Sequence, residues 1–249
     1  MTRPFTLTFA NGRTALAIEL PGVEDMPSGL RAMGFDRPYP VLVLVGGAGG
    51  LAGSEYDRLR PLFEQVLAPV AAATGACVLD GGTDTGIMRM IGQARARANA
   101  AGEFPLIGVA ATGTVVLPGV EASTSDAAQL EPHHTHFVLV PGARWGDESP
   151  WLARVASVLS AGAPSVTVLV NGGDIAQDDV EQSVGAARPV IAVVNTGRAA
   201  NALVAALRGR ASDPRSKELA ESGLVRAIRA TGRAGTLSRI LTGILSGKE

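Results

Sequence analysis

VLVLVGGAGG, residues 41–50, is five apolar β-formers running straight into a glycine loop. An unbroken apolar run closed by glycines predicts a strand buried on both faces. Ser54 follows closely and is placed to cap a helix running to about Ala73. The same cadence then repeats. ACVLD (76–80) is the next buried run, and it passes through GGTDTG (81–86) into a helical pattern near 85–100. PLIGVA (105–110), HFVLV (136–140), SVTVLV (165–170) and PVIAVV (189–194) come after it, with helical patterns near 149–160, 176–186 and 198–207. Buried strands alternating with helices predict an α/β fold, a Rossmann-like parallel sheet with helices on both faces.

Upstream, FTLTFANGRTALAIEL (5–20) alternates apolar and polar residues around Asn11-Gly12. That pattern predicts an N-terminal β-hairpin, with strands near 5–9 and 14–20 and a type I′ turn. Residues 21–39 read as a connector with a short helix around Ser28–Met33. Residues 111–135 break the strand–helix alternation and read as a long loop or small insertion near the sheet edge. The last forty residues read as two C-terminal helices, with Leu237, Ile240, Leu241, Ile244 and Leu245 at amphipathic spacing. The expected organisation is one domain: hairpin and connector over 1–39, core over 40–207, and C-terminal helices over 208–249.

Bulk properties narrow the function classes. With 46% hydrophobic and 18% charged residues the 249-residue chain is globular, and a net charge of −1 gives no electrostatic case for nucleic acid or a membrane surface. The single cysteine, Cys77, sits in an apolar run and reads as a buried, inert thiol. The N-terminus lacks the apolar core of a signal peptide, and no apolar run approaches the roughly 18–20 residues of a membrane span. A cytoplasmic protein is expected. The C-terminal helices carry eight basic against four acidic side chains over 210–249. They read as a packed pair with a solvated basic face, and they are the candidate contact to a second subunit or an effector.

Four strands end in comparable turns: GGAGG after 41–45, GGTDTG after 76–80, NGGD after 165–170 and NTGR after 189–194. In a parallel sheet these turns share the carboxyl edge, where open α/β sheets bind ligands. Glycine admits close approach of a ligand, and the helix that follows offers unpaired N–H groups to phosphate. The candidate ligand-binding residues are therefore Gly46, Gly47 and Ala48; Gly81, Gly82, Thr83, Thr85 and Gly86; Asn171, Gly172 and Gly173; and Thr196, Gly197 and Arg198. No GxGxxG opens a helix and no GxxxxGK[ST] is present, so neither an ordinary dinucleotide fingerprint nor a P-loop applies.

Several single residues stand out. Arg198 opens a helix at the ligand edge, where its guanidinium can take a phosphate bidentately. Asn171 and Asn195 either bond a ribose or base, or brace their own turns. In PGARWGDES (141–149), Trp145 is a stacking or packing residue, Asp147 or Ser149 a helix cap, and Glu148 a candidate for a ribose hydroxyl or a general base. His134 and His136 could supply two metal ligands, but no third ligand has matching spacing, so no metal is expected. His136 is the histidine chosen as ligand-facing or loop-bracing.

VLVLVGGAGG, CVLDGGTDTGIMRMIGQA, PLIGVA, HTHFVLVPGARWGDE, VTVLVNGGDIAQDDV and PVIAVVNTGRAANAL, in that order, resemble the LSDAT branch of the SLOG superfamily. That branch includes the cytosolic N-terminal region of TRPM channels and free-standing prokaryotic relatives. The resemblance covers nearly the whole chain. It implies a Rossmann-like fold and a nucleotide-derived ligand, ADP-ribose or a related NAD-derived molecule, held by a sensor with no required cofactor. The superfamily also holds the lonely-guy phosphoribohydrolases, whose GG…GLMG signature is echoed by GGTDTGIM. Their PGGxGTxxE signature is only partly matched by NGGDIAQDD: Gly172 and Gly173 agree, Ile175-Ala176 replaces Gly-Thr, and Asp179 stands in place of the glutamate. No MxxRK segment supplies their arginine. The resemblance thus implies a binding function, with cleavage of a nucleotide N-glycosidic bond by Asp179 or Glu148 as the alternative.

Overall fold

The computed structural model describes residues 2–49, 53–97, 103–121, 124–210, 213–230 and 235–248. Strands β1 (Phe5–Thr8) and β2 (Thr14–Glu19) form the hairpin, followed by helix α1 (Met26–Ala32). The hairpin turn is not the type I′ turn that Asn11-Gly12 predicts. Gly12 takes a φ of +79° while Asn11 stays out of the left-handed region. The Gly12 N–H donates to the Phe9 carbonyl at 2.9 Å, which closes a type I turn ending on a left-handed glycine.

The first buried run is β3 (Val41–Gly46). The helix after it has three parts: α2 (Gly53–Leu62), a π-helical turn over Phe63–Leu67, and α3 (Ala68–Thr74). The π turn lies between Pro61 and Pro69, neither of which has an N–H for the ladder. Then follow β4 (Cys77–Asp80), α4 (Gly86–Arg97) and β5 (Leu106–Ala111). Two short strands, β6 (Val115–Val116) and β7 (Ala128–Gln129), precede β8 (His136–Val140). The rest is α5 (Ser149–Ser160), β9 (Ser165–Val170), α6 (Asp174–Gly185), β10 (Val190–Val193), α7 (Arg198–Leu207), α8 (Pro214–Glu221), β11 (Val225–Ile228) and α9 (Thr236–Leu245).

Nine strands make one sheet in the order β1-β2-β8-β5-β4-β3-β9-β10-β11. Its pairings are parallel except for the β1–β2 hairpin. The fold is Rossmann-like α/β. Alternate residues of each central strand serve opposite faces. Val41, Val43, Cys77 and Leu79 pack with Leu30, Leu152, Val180 and Leu203 of α1, α5, α6 and α7. Leu42, Leu44 and Val78 pack with Leu67, Ile91 and Leu241 of the π turn, α4 and α9. Each fully buried side chain of this kind contributes about 1.5–3 kcal/mol, and both faces are covered.

Two expectations change. The C-terminal segment is not two helices alone. VRAI (225–228) between them is an edge strand, parallel to β10, with Val225 and Ile228 buried and Arg226 and Ala227 exposed. Residues 111–135 do not sit at a lateral edge of the sheet. They join the adjacent interior strands β5 and β8 and lie against the turn after β4. There Asp84 N–H donates to the Gln129 carbonyl at 2.7 Å, Glu131 N–H donates to the Gly82 carbonyl at 2.9 Å, and Thr83 bridges Leu130.

From β3 the chain order proceeds through β4 and β5 on one side and through β9, β10 and β11 on the other. The switch point is the β3–β9 boundary. Neighbouring turns diverge at such a boundary and leave a crevice outside the carboxyl ends of the strands.

Candidate functional site

A cavity of about 300 Å³ occupies that switch point. Its floor is the end of β3 (Leu44, Val45, Gly46) with Ala48 and Gly49, and one wall is Gly81, Thr83 and Met88. The opposite wall is Trp145 and Glu148, followed by Gly173 to Ala176 at the start of α6, Asp179 one turn further on, and Arg198 at the start of α7. Gly46, Ala48, Gly81, Thr83, Glu148, Gly173, Asp179 and Arg198 are thus brought together from five segments of chain.

The remaining glycines build the cavity from behind. A Cβ on Gly46 would meet the Val170 carbonyl oxygen at 2.0 Å, and one on Gly86 would meet the Gly47 carbonyl oxygen at 1.9 Å. Gly86 also has a φ of +46°, and the Gly47 carbonyl accepts the Ile87 N–H at 3.0 Å, so this contact locks the start of α4 onto the β3 turn. Gly82, with a φ of +69°, passes over Gly108 and Phe137. Gly81 differs: its Cβ would meet nothing within 4 Å. Asn171 proves to be a brace. Its side-chain N–H donates to the Thr196 carbonyl at 2.9 Å, its Oδ1 accepts the Gly172 N–H at 2.7 Å, and its own N–H donates to Thr196 Oγ1 at 3.0 Å. Gly47, Gly82, Thr85, Gly86, Asn171, Gly172, Thr196 and Gly197 therefore stand behind the cavity surface rather than on it.

The chemistry of the crevice is acidic on one side. Burial raises the Asp179 carboxyl to about 7, helped by the neighbouring Glu148 and Asp178 carboxylates and opposed by Ser149. The Ser149 hydroxyl is itself buried and has no partner in hydrogen-bonding geometry. Burial also raises Glu148, against the pull of the Gly146 N–H, which donates to Glu148 Oε2 at 3.0 Å. Arg198 is the one cation on the lining among the described residues, its Nη2 packed where a Cβ on Gly173 would come within 2.7 Å. The N-terminus of α6 opens beside it with no side-chain cap, leaving backbone donors for an anion. The expected helix cap is different as well. Asp147 does not cap α5; its Oδ2 accepts the N–H groups of Ala143 and Arg144 at 2.9 and 3.0 Å and holds the preceding turn.

The histidines part company. His136 opens β8 at the amino end of the sheet, away from the crevice. Its Nδ1 lies 2.8 Å from Thr135 Oγ1, its ring stands 4.8 Å from that of Phe35, and burial lowers its pKa to about 4. A brace is the role this placement gives it. His134 is spent on carboxylates instead. Its Nε2 lies 2.9 Å from Asp80 Oδ1 and its Nδ1 lies 2.9 Å from Glu131 Oε2, all fully buried. These carboxylates outweigh desolvation and raise His134 to about 9. Asp80 Oδ1 also accepts the Gly82 N–H at 2.7 Å, so this buried ion cluster holds the glycine turn in place. Gly92 makes room for it, since a Cβ there would strike Glu131 Oε2 at 2.1 Å. Sequence reasoning missed the cluster because its members lie 54 residues apart. It also missed Met88 and Asp174 on the lining, which lie within the GGTDTGIM and NGGDIAQDD stretches but were not singled out there.

Comparison with known proteins agrees with this architecture. A family model described as SLOG in TRPM, prokaryote, matches residues 39–238, and the chain belongs to that family. Mouse (Mus musculus) transient receptor potential cation channel subfamily M member 2 is 26% identical over 203 residues, covering 68% of this chain and 13% of the channel subunit. A member-like 2 protein of Nematostella vectensis is 25% identical over 207 residues, covering 69% of this chain and again 13% of the relative. The chain thus spans roughly an eighth of the length of these channel proteins. The X-ray structure of TM1055, a structural genomics target, superposes with a TM-score of 0.53 at 22% identity, covering 81% of this chain and 98% of that one. Among the described residues no helix is long and apolar enough to cross a membrane.

Proposed function

We propose that the crevice binds a nucleotide-derived ligand, with ADP-ribose or a related NAD-derived molecule as the leading class, and that the protein acts as a sensor of that ligand. The observation that carries this reading is the convergence of Glu148, Asp179, Arg198 and Trp145 on one cavity at the switch point. The pair of carboxyls suits ribose hydroxyls, which donate to an ionised Glu148 and accept from a protonated Asp179. Arg198 and the open start of α6 suit a phosphate. Trp145, at the rim and 36% exposed, offers a face on which a base can stack.

N-glycosidic cleavage is the second reading. It is favoured by one observation: Asp179, which stands at the position of the lonely-guy glutamate, faces the cavity with a carboxyl poised near 7, where a proton can be given or taken. Against it stand Ile175, which occupies the lining where that motif has glycine, and the lack of a second arginine on the wall.

One set of samples separates the readings. The protein is incubated with ADP-ribose, NAD, AMP and cyclic ADP-ribose, its melting temperature is recorded, and the small molecules are then chromatographed. A rise in melting temperature with ligand recovered intact is the expected result. Release of free base with ribose phosphate would replace the sensor by a hydrolase, and no shift with any of the four would remove both readings.

A further inference from the structure

A second cavity, of about 340 Å³, opens on the other side of the turn between β10 and α7. It is lined by Arg58, Leu59, Leu62 and Gln65 of the α2 region, by Val193 to Thr196, and by Arg229 and Ala230 beyond β11. The turn separates the two linings by a single residue, Gly197: Thr196 lines the second cavity and Arg198 the first. Three of its residues take positive φ, Asn195 (+64°), Gly197 (+111°) and Arg198 (+37°), a run that swings the chain sharply between the two openings. Arg58 is tied to the turn, its Nη1 donating to the Asn195 carbonyl at 2.5 Å.

The two cavities differ in charge. The first has Glu148, Asp174 and Asp179 against a single Arg198. Among the described residues, the lining of the second carries Arg58 and Arg229 and no carboxylate. Glu55 lies 3.9 Å from Arg58, and its Oε1 is 3.8 Å from where a Cβ on Gly197 would stand; with Arg58 half exposed to solvent, that ion pair is weak. A pyrophosphate bridge brings about two negative charges; Arg198 and the start of α6 suit one phosphate, and the arginines of the second cavity attract the other. The first cavity, at 300 Å³, is also at the lower end of the roughly 300–1,000 Å³ that enclose drug-sized ligands.

We infer that the Arg58–Arg229 cavity is an anion subsite that takes a diphosphate or second phosphate group, so that the ligand of this protein is a diphosphate-bridged nucleotide laid across the Asn195–Arg198 turn rather than a monophosphate held in the first crevice. The nucleotide part of this statement rests on the proposed function; the anion subsite does not. Arg58 on α2 and Arg229 beyond β11 bring two guanidinium groups, each with planar donors suited to phosphate oxygens, to one lining. The ribose end then stays with Glu148 and Asp179.

The test is calorimetric titration with inorganic pyrophosphate, and separately with ADP-ribose and AMP, of the wild type and the variants Arg229→Gln, Arg58→Gln and Lys217→Gln, the last an exposed α8 residue outside both linings. Arg229 is exposed, so its variant keeps the fold, and circular dichroism checks Arg58→Gln. Expected is saturable pyrophosphate binding that weakens about tenfold in each arginine variant and is unchanged in Lys217→Gln. ADP-ribose is expected to bind tighter than AMP, with that advantage lost in Arg229→Gln. Pyrophosphate that does not bind, or that binds equally well to Arg229→Gln, overturns the subsite. Arginine-dependent pyrophosphate binding with no response to ADP-ribose would uphold the subsite and overturn the nucleotide reading alone.

Discussion

Two buried titrating residues set opposite demands on this molecule. Asp179 has its carboxyl raised from 3.8 to about 7 by burial beside Glu148. The folded state therefore holds a proton that the unfolded chain releases, and stability falls as pH rises from about 4 to about 7. Asp179→Asn removes that cost. Discounted for the carboxyl's access to crevice water, the variant should be ~2 kcal/mol more stable than wild type at pH 8 and indistinguishable from it near pH 4. Urea denaturation at the two pH values measures the difference; equal stability at pH 8 would mean that Asp179 is ionised without strain. His134 does the reverse job. Raised from 6.5 to about 9 between Asp80 and Glu131, it contributes stability that is full below 6.5 and lost as pH climbs through 9. His134→Leu strands two buried carboxylates and should cost about 3–5 kcal/mol at pH 7 by the same measurement. A cost below ~1 kcal/mol would show that the cluster is not ionic.

At the scale of elements, the glycine turns divide into those that build the edge and those that face the cavity. Gly86→Ala drives a methyl to 1.9 Å from the Gly47 carbonyl oxygen at a φ of +46°, and α4 cannot move without giving up its Ile87 contact. A loss of about 2–4 kcal/mol is expected, read as a drop in the urea midpoint. Gly81→Val meets open space and should melt within a degree or two of the wild type. The repeated glycines therefore reveal the edge without telling which of them face the cavity. Buried strands were plain in sequence because each is a short apolar run ending in a turn, and α5 was read to its ends at Ser149 and Ser160. VRAI was not, because a four-residue edge strand with one exposed arginine and two buried ends has neither the apolar run nor a full alternation. The hairpin turn was misread because Asn-Gly suits more than one loop, and the three-residue form was chosen by register between Phe9 and Arg13. Of the two roles the sequence allows His136, strand direction leaves the bracing one: it decides which end of HFVLV lies at the carboxyl edge, and the histidine is at its start.

The whole molecule joins three stretches of sequence into one sheet. The hairpin adds to β8 and the C-terminal strand adds to β10, so the central switch point sits between well-buttressed flanks. Family, fold and the carboxyl-edge crevice could be read from the succession of glycine turns. The charge division between the two cavities could not, because Arg58 and Arg229 lie 171 positions apart and acquire a shared role only when α2 packs beside β10 and β11. The account stands or falls on whether the first crevice holds the ligand. The direct measurement is calorimetric titration of ADP-ribose into wild type and Gly81→Val at matched melting temperatures. Saturable binding to wild type and none to Gly81→Val is the predicted result, because valine fills the wall that Gly81 leaves open. Equal affinity in both proteins would contradict it and move the binding site elsewhere.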